Sequence, residues 1–102
     1  MKSKPEQTPV IFRKCPEGTI IALFPTIPAD ISGITVTSYI HTGQHGQACP
    51  QGVIRTTKPA TPKEYEELMT ELDKIGYRNL KVYKRLQYRH LEKARKAAKE
   101  YK

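Results

Sequence analysis

The sequence has little of what marks membrane-spanning, exported or disulfide-bonded proteins. No run approaches the roughly 18 apolar residues that a membrane helix needs, and the longest, residues 20–24, has the length of a strand. Residues 1–7 are polar and lack the apolar stretch of a signal peptide, so we expect a cytoplasmic protein. Only two cysteines occur, Cys15 and Cys49. In a reducing compartment they are expected to be free thiols.

Sequence signatures of the common enzyme classes are also missing. There is no glycine-rich phosphate loop of the nucleotide-binding types. Five of the ten acidic residues cluster in residues 64–73, where helix capping and solvation account for them, and no pair of carboxylates is placed for acid–base catalysis. A cysteine–histidine nucleophilic pair would need an orienting group and an oxyanion site, and neither can be identified. We therefore expect a protein that is not an enzyme and has no cofactor.

Positive charge is abundant, and it is concentrated at one end of the chain. The net charge is +8, and residues 77–102 alone carry +8, from ten basic and two acidic side chains. Residues 1–60 contribute +3 and residues 61–76 contribute −3, so the rest is nearly neutral. Such a segment attracts polyanions, chiefly nucleic acid, through phosphate neutralisation and counterion release.

Turn residues and periodicity predict an α+β fold in the order β-β-β-β-α-β-α. The apolar residues 20–24 predict a central strand that is covered on both faces and pairs with residues 10–14 in a hairpin. Alternation over residues 34–41 predicts a half-buried antiparallel strand, and the Gly-rich residues 42–51 predict a loop. The predicted strands are residues 10–14, 19–24, 34–41, 52–58 and 80–84, and the predicted helices are residues 62–75 and 86–101.

The helix over residues 62–75 has the clearest signals. Thr61 and Glu64 form a capping box around a proline at the first helical position, and Gly76 is a stop signal. Its apolar stripe predicts packing on one face of a four- to five-stranded, mainly antiparallel sheet. The stripe of this helix consists of Tyr65, Leu68, Met69, Leu72 and Ile75.

We divide the chain into a disordered lead (residues 1–9), a single α+β domain (residues 10–85) and a basic C-terminal helix (residues 86–102).

The basic C-terminal helix carries our first functional hypothesis, non-specific binding of nucleic acid. Its apolar strip is mostly alanine at the far end, which predicts weak docking there. Tyr83 and Tyr88 lie among the basic residues and could stack on bases, but no segment matches a sequence-reading DNA-binding motif. The alternative is a solvated helix that keeps a small protein soluble. The candidate nucleic-acid-binding residues are Arg78, Lys81, Lys84, Arg85, Arg89, Lys93, Lys96 and Lys99.

The segment from His41 to Cys49 supports two alternatives. As an exposed glycine-rich loop, it could bind a host protein or a small anion, with His41, Gln44 and His45 as the candidate residues. As a metal site, Cys15, His41, His45 and Cys49 could coordinate zinc tetrahedrally. Their spacing is not that of a zinc finger, and packing or hydrogen bonding would equally explain each residue.

Residues 10–85 resemble a family of small uncharacterised proteins of bacterial plasmids, conjugative elements and phages. The resemblance depends on residues 24–30 (FPTIPAD), residues 38–46 (SYIHTGQHG), and GVIR at 52–55 followed by KPATPKEY at 58–65. It implies an accessory protein of a mobile element, but no activity that could be carried over. Neither cysteine belongs to the family pattern, and the pattern ends near residue 85. The resemblance therefore implies that the shared site lies near His41, Gln44 and His45.

Overall fold

A computed structural model describes residues 8–30, 35–40, 44–77 and 79–100, which form an α+β fold. The predicted fold class is confirmed, as is its mainly antiparallel sheet. The strands are β1 (Thr8–Lys14), β2 (Ile20–Pro28), β3 (Val36–Ile40), β4 (Gln44–Ala48), β5 (Lys58–Pro59) and β6 (Leu80–Val82). The helices are α1 (Pro50–Thr56), α2 (Pro62–Lys74) and α3 (Tyr88–Glu100).

The strands form one sheet in which β1 and β2 are central. The order is β4-β3-β2-β1-β5, with antiparallel pairing throughout. The sixth strand, β6, pairs in parallel with the start of β1, at Thr8 and Val10, whereas β5 pairs with the end of β1, at Arg13 and Lys14. Both neighbours therefore share one side of β1, and β4 is left at the opposite edge of the sheet.

The predicted hairpin of β1 and β2 is confirmed, with a tight turn between the strands. The Gly18 amide donates to the Cys15 carbonyl at 2.8 Å, and the Cys15 amide donates to the Thr19 carbonyl at 2.8 Å. Gly18 has a φ of 105°, a left-handed value that costs glycine little because it has no side chain beyond its α-carbon. The turn sets the register that pairs Ile11 with Leu23.

Two separate apolar layers cover the two faces of the sheet. Alternate residues of β1 and β2, Val10 and Phe24 among them, pack against Leu68 and Leu72 of α2. The intervening residues Ile11 and Leu23 pack on the other face, with Leu91 and Ala94 of α3 and the apolar side chains of α1. This double coverage confirms the prediction for β2 and explains why the central strands are apolar at consecutive positions.

The α2 helix forms as predicted. Thr61 accepts a hydrogen bond from the Glu64 amide at 3.3 Å, and the Glu64 carboxylate accepts one from the Thr61 amide at 2.9 Å. Both bonds satisfy amides that have no partner inside the helix. Gly76, with a φ of 117°, follows the helix end. One member of the predicted stripe, Ile75, does not reach the core and is 48% exposed.

The prediction of weak docking for the C-terminal helix is wrong. Ala94 and Ala98 are both 0% exposed, and α3 lies against β2. Alanine adds little area to the interface, but its small side chain lets the helix approach the sheet closely enough to exclude water. The helix begins at Tyr88 rather than at residue 86, and residues 101–102 lie outside the described part of the chain.

Two predictions between β3 and α2 are also wrong. Residues 52–58, predicted as a strand, belong mainly to α1, a helix with Pro50 at its start. The β-branched residues Val53, Ile54 and Thr56 favoured a strand, but packing of Val53 and Ile54 on the sheet stabilises the helix. Residues 44–48, predicted as part of a loop, form the edge strand β4 through backbone pairing with β3.

The remaining differences concern strand bounds and coverage. The third strand is antiparallel as predicted, but it is covered on both faces, because Val36 and Tyr39 are buried on opposite sides. The first strand begins at Thr8, two residues earlier than predicted, and residues 1–7 of the predicted lead lie outside the described residues. Among the described residues, no helix has the length and apolar character to cross a membrane.

Candidate nucleic-acid interface

The solvent-facing side of α3 is mostly basic. Its buried side faces the sheet through Leu91, Ala94 and Ala98, so that the intervening positions project outward. One acidic side chain, Glu92, lies on the same outward side. Tyr88, at the first turn, is 66% exposed, so its ring is available for stacking. The exposed basic residues of the helix are Arg89, Lys93, Arg95, Lys96 and Lys99.

The segment leading into α3 adds more positive charge beside its first turn. Lys81, Lys84 and Arg85 are exposed, and the Lys81 Nζ lies 5.8 Å from the centre of the Tyr83 ring. Arg78, another predicted contact residue, lies outside the described residues. We use the term basic surface for the exposed predicted residues that the structure describes: Lys81, Lys84, Arg85, Arg89, Lys93, Lys96 and Lys99.

A cleft lies where α3 meets the segment that precedes it. Arg89 and Lys93 line it from α3, together with Tyr83 from the segment after β6. Its volume is about 280 Å³. The Arg89 Nε donates to the Gln87 Oε1 at 2.9 Å, which holds the guanidinium beside the helix start. The other lining residues are Pro9, Thr26 and His90.

His90 is a residue of this cleft that sequence reasoning missed. It is 7% exposed, and its ring meets the Tyr83 ring edge-on at a centroid distance of 4.8 Å. Burial lowers its pKa, and the charges of Arg89 and Lys93 lower it further. His90 lies four residues before Ala94, so a helical projection places it beside the buried strip. That spacing could have indicated from the sequence that His90 is buried.

The predicted partner-binding residues occupy the opposite edge of the sheet. His45 is exposed on β4, and its Nε2 lies 3.0 Å from the Tyr77 hydroxyl. Its ring meets the Tyr39 ring edge-on at 4.7 Å. These three rings line a cleft of about 400 Å³ with Ile75 and Gly76. Gln44 lies on the same strand, and His41 lies outside the described residues.

The zinc hypothesis gains no support from the described residues. Cys15 and Cys49 are both free thiols, as expected. Burial raises the pKa of Cys15, and the charge of Glu17 raises it further, which disfavours the thiolate that binds metal. Within residues 8–30, 35–40, 44–77 and 79–100, no group of three His, Cys, Asp or Glu side chains could hold a metal ion. His41, a proposed ligand, is outside that set.

Two basic residues of β1 are engaged in holding the fold together. The buried Arg13 guanidinium donates to the Ile54 carbonyl at 3.0 Å and the Thr57 carbonyl at 2.7 Å, which satisfies acceptors at the end of α1. Lys14 forms an ion pair with Glu64 at 2.8 Å, and its hydrogen bond lowers the pKa of that carboxyl. We therefore assign a structural role to both cations.

The basic surface and the β4 edge are thus the two candidate sites among the residues that the structure describes. They lie on different elements and differ in chemistry, because the first is rich in lysine and arginine and the second in aromatic rings. Comparison with protein-family models, curated proteins and solved structures gave no match.

Proposed function

We propose that the protein binds nucleic acid without sequence preference through its basic surface. The observation that carries the proposal is the set of seven exposed cations that form the basic surface, on α3 and in residues 81–85, with Arg89 and Lys93 beside Tyr83 on the walls of one cleft. A surface that carries this many cations attracts a phosphate backbone.

The packing of α3 suits it to this role. Ala94 and Ala98 fix the helix on the sheet, so its outward cations are held on a folded support. Each phosphate contact releases counterions, and about six contacts would give affinity that falls roughly 10³-fold between 50 and 200 mM salt. Tyr88 is exposed beside these cations and could stack on an unpaired base. Phosphate contacts of this kind carry no sequence information.

The cellular setting is part of the proposal. The resemblance to proteins of plasmids, conjugative elements and phages supports an accessory protein of a bacterial mobile element, acting in the cytoplasm. Nucleic acid is the polyanion that such a protein would most often meet. A non-enzymatic role fits this setting, because binding alone can protect, coat or recruit a strand.

Fluorescence anisotropy with labelled single- and double-stranded oligonucleotides tests the proposal. We expect micromolar or tighter binding at about 50 mM salt and a linear decrease of log K with log salt concentration. Because α3 belongs to the core, charge substitution is a cleaner perturbation than deletion of the helix. Absence of binding by the full-length protein at low salt would refute the proposed function.

The second candidate function is binding of a host protein at the β4 edge. An edge strand presents unpaired backbone groups, and β4 carries no Lys, Arg, Asp or Glu side chain that would block strand pairing. Beside it, the cleft of Tyr39, His45 and Tyr77 adjoins the exposed side chain of Ile75. An extended peptide with an aromatic or aliphatic side chain fits this combination.

Capture of partners from bacterial lysate with and without nuclease separates the two functions. One stoichiometric protein that remains after nuclease treatment, and is lost with Ile75→Lys, would support the second function. Tyr88→Lys is the matched control, because it places a lysine at another exposed apolar position. Recovery of nucleic acid alone, removed by nuclease, would support the first function.

A further inference from the structure

The cleft beside the first turn of α3 differs from the rest of the basic surface because it is concave. It forms where the start of β1, a residue of β2, the segment after β6 and α3 meet. Its six lining residues include two cations and no carboxylate. A cleft on α2, by contrast, is lined by three glutamates and one lysine, Glu66, Glu67, Glu71 and Lys74. The α3 cleft therefore favours an anion.

Buried His90 gives this cleft a second, independent feature. Its Nδ1 has no hydrogen-bond partner among the described residues, although buried polar atoms in folded proteins almost always have one. Burial opposes protonation of the ring, and the two cations beside it, Arg89 and Lys93, oppose it further. An anion would counteract that repulsion and could accept a hydrogen bond from the imidazole. Nδ1 is thus a ring nitrogen for which the described residues provide no partner.

The first turn of α3 adds to the positive potential. The amides of a helix N-terminus carry partial positive charge, which favours phosphate groups placed there. Arg89 presents a guanidinium, whose fork of donors matches the oxygens of a phosphate. Thr26, a residue with a hydroxyl group, also lines the cleft. These groups together are the kinds of donor that hold a single tetrahedral anion.

We propose that the cleft binds one phosphate group, held by Arg89, Lys93 and the His90 imidazole. The inference rests on the proposed function, which it deepens by naming one phosphate position within a mostly diffuse interface. The phosphate can be an internal phosphodiester or a terminal phosphate monoester. Either kind of phosphate would anchor the strand at the cleft. The strand would then lie on the side of the protein that presents α3 and the residues before it.

Titration of the full chain with inorganic phosphate, followed by NMR, tests the cleft directly. We expect saturable shifts of the His90 imidazole and the Arg89 side chain, with little change at Lys99, which belongs to α3 but not to the cleft. His90→Phe keeps an aromatic ring beside Tyr83 and should weaken phosphate binding several-fold. Should His90→Phe not fold, Arg89→Gln at the exposed cleft wall provides the same test. Equal phosphate affinity in wild type and a folded cleft variant would overturn the inference.

Oligonucleotides distinguish the two sources of phosphate. A strand with a 5′-phosphate that binds several-fold more tightly than its 5′-hydroxyl form, with the difference lost in Arg89→Gln but kept in Lys99→Gln, would assign a terminal monoester. Equal binding of both forms, weakened by Arg89→Gln more than by Lys99→Gln, would assign an internal phosphodiester. Tight DNA binding by a protein whose His90 resonances do not shift on addition of inorganic phosphate would overturn the inference about the cleft. It would leave the proposed function standing. Phosphate shifts without DNA binding would refute the proposed function and leave a site for free phosphate groups.

Discussion

The helices α2 and α3 lie on opposite faces of one sheet, have the same length of 13 residues, and carry opposite charge. Five carboxylates and two lysines give α2 a charge of −3, whereas five basic residues and two glutamates give α3 a charge of +3. Their anchors differ as well, because α2 buries Leu68 and Leu72, and α3 buries Leu91 with two alanines. The sheet thus separates an acidic face from a basic one, and a polyanion would meet the two faces very differently.

The largest effect is expected from neutralising the basic face. The triple variant Arg89→Gln, Lys93→Gln and Lys96→Gln should lower DNA affinity roughly 100-fold or more. It should also make the salt slope shallower by about 3, because three phosphates are no longer neutralised by the protein. Anisotropy titrations at several salt concentrations measure both quantities.

The matched control removes the same charge from elsewhere. Lys58→Gln, Lys63→Gln and Lys74→Gln together reach the same net charge without touching α3. This variant should keep most of the affinity. Equal decreases in affinity in the two triple variants would mean that net charge, and not the basic face, determines binding.

The next largest effect concerns the anchors of the two helices. Leu72→Ala should destabilise the fold by about 2–5 kcal/mol, because it leaves a cavity under α2. Ala94→Leu should cost about 1–3 kcal/mol, because α3 lies too close to the sheet for a larger side chain. Denaturant unfolding measures both free energies. If Ala94→Leu left the free energy of unfolding unchanged, α3 would dock as loosely as its composition alone suggests.

A smaller effect is expected at the start of α2. Thr61→Ala removes the hydroxyl that accepts a hydrogen bond from the Glu64 amide and should cost about 1 kcal/mol in the free energy of unfolding. Thr70→Ala, at an exposed position of the same helix, serves as the control. Equal destabilisation in the two variants would show that the capping box does not contribute.

The smallest effect is a dependence of stability on pH. Burial and the charges of Arg89 and Lys93 make the pKa of His90 lower in the folded than in the unfolded chain, while the Tyr83 ring packs beside it. The unfolded chain therefore binds the proton more readily, so stability should fall as the pH decreases below about 6.5 toward the folded-state pKa. In His90→Phe the decrease in Tm between about pH 7.5 and 5.5 should be smaller than in wild type. If the decrease in Tm were the same in His90→Phe as in wild type, the pH dependence could not be assigned to His90.

Local chemistry made part of the fold predictable. The capping box at Thr61 and the β1–β2 hairpin depend on neighbouring residues, and both formed as expected. The apolar run of β2 indicated burial on both faces because no polar residue alternates with it. These signals need no knowledge of distant contacts, which is why the sequence alone revealed them.

Tertiary contacts decided the features that the sequence did not reveal. Val53 and Ile54 favour a strand locally, but the sheet face that they cover stabilises a helix. The edge strand β4 has almost no β propensity and exists through its pairing with β3. The same holds for the candidate site, because its cations were predictable from composition, whereas the cleft around His90 depends on residues 9 and 26, far away in the sequence.

The most direct test of the central claim is an NMR map of the surface that contacts DNA. Backbone and side-chain resonances of the full chain would be followed while a short single-stranded oligonucleotide is added. We expect the largest shifts at Arg89, Lys93 and the residues before α3, with α2 unchanged. Shifts concentrated on α2, or around His45 and Tyr77 at the β4 edge, would contradict a nucleic-acid interface on the basic face.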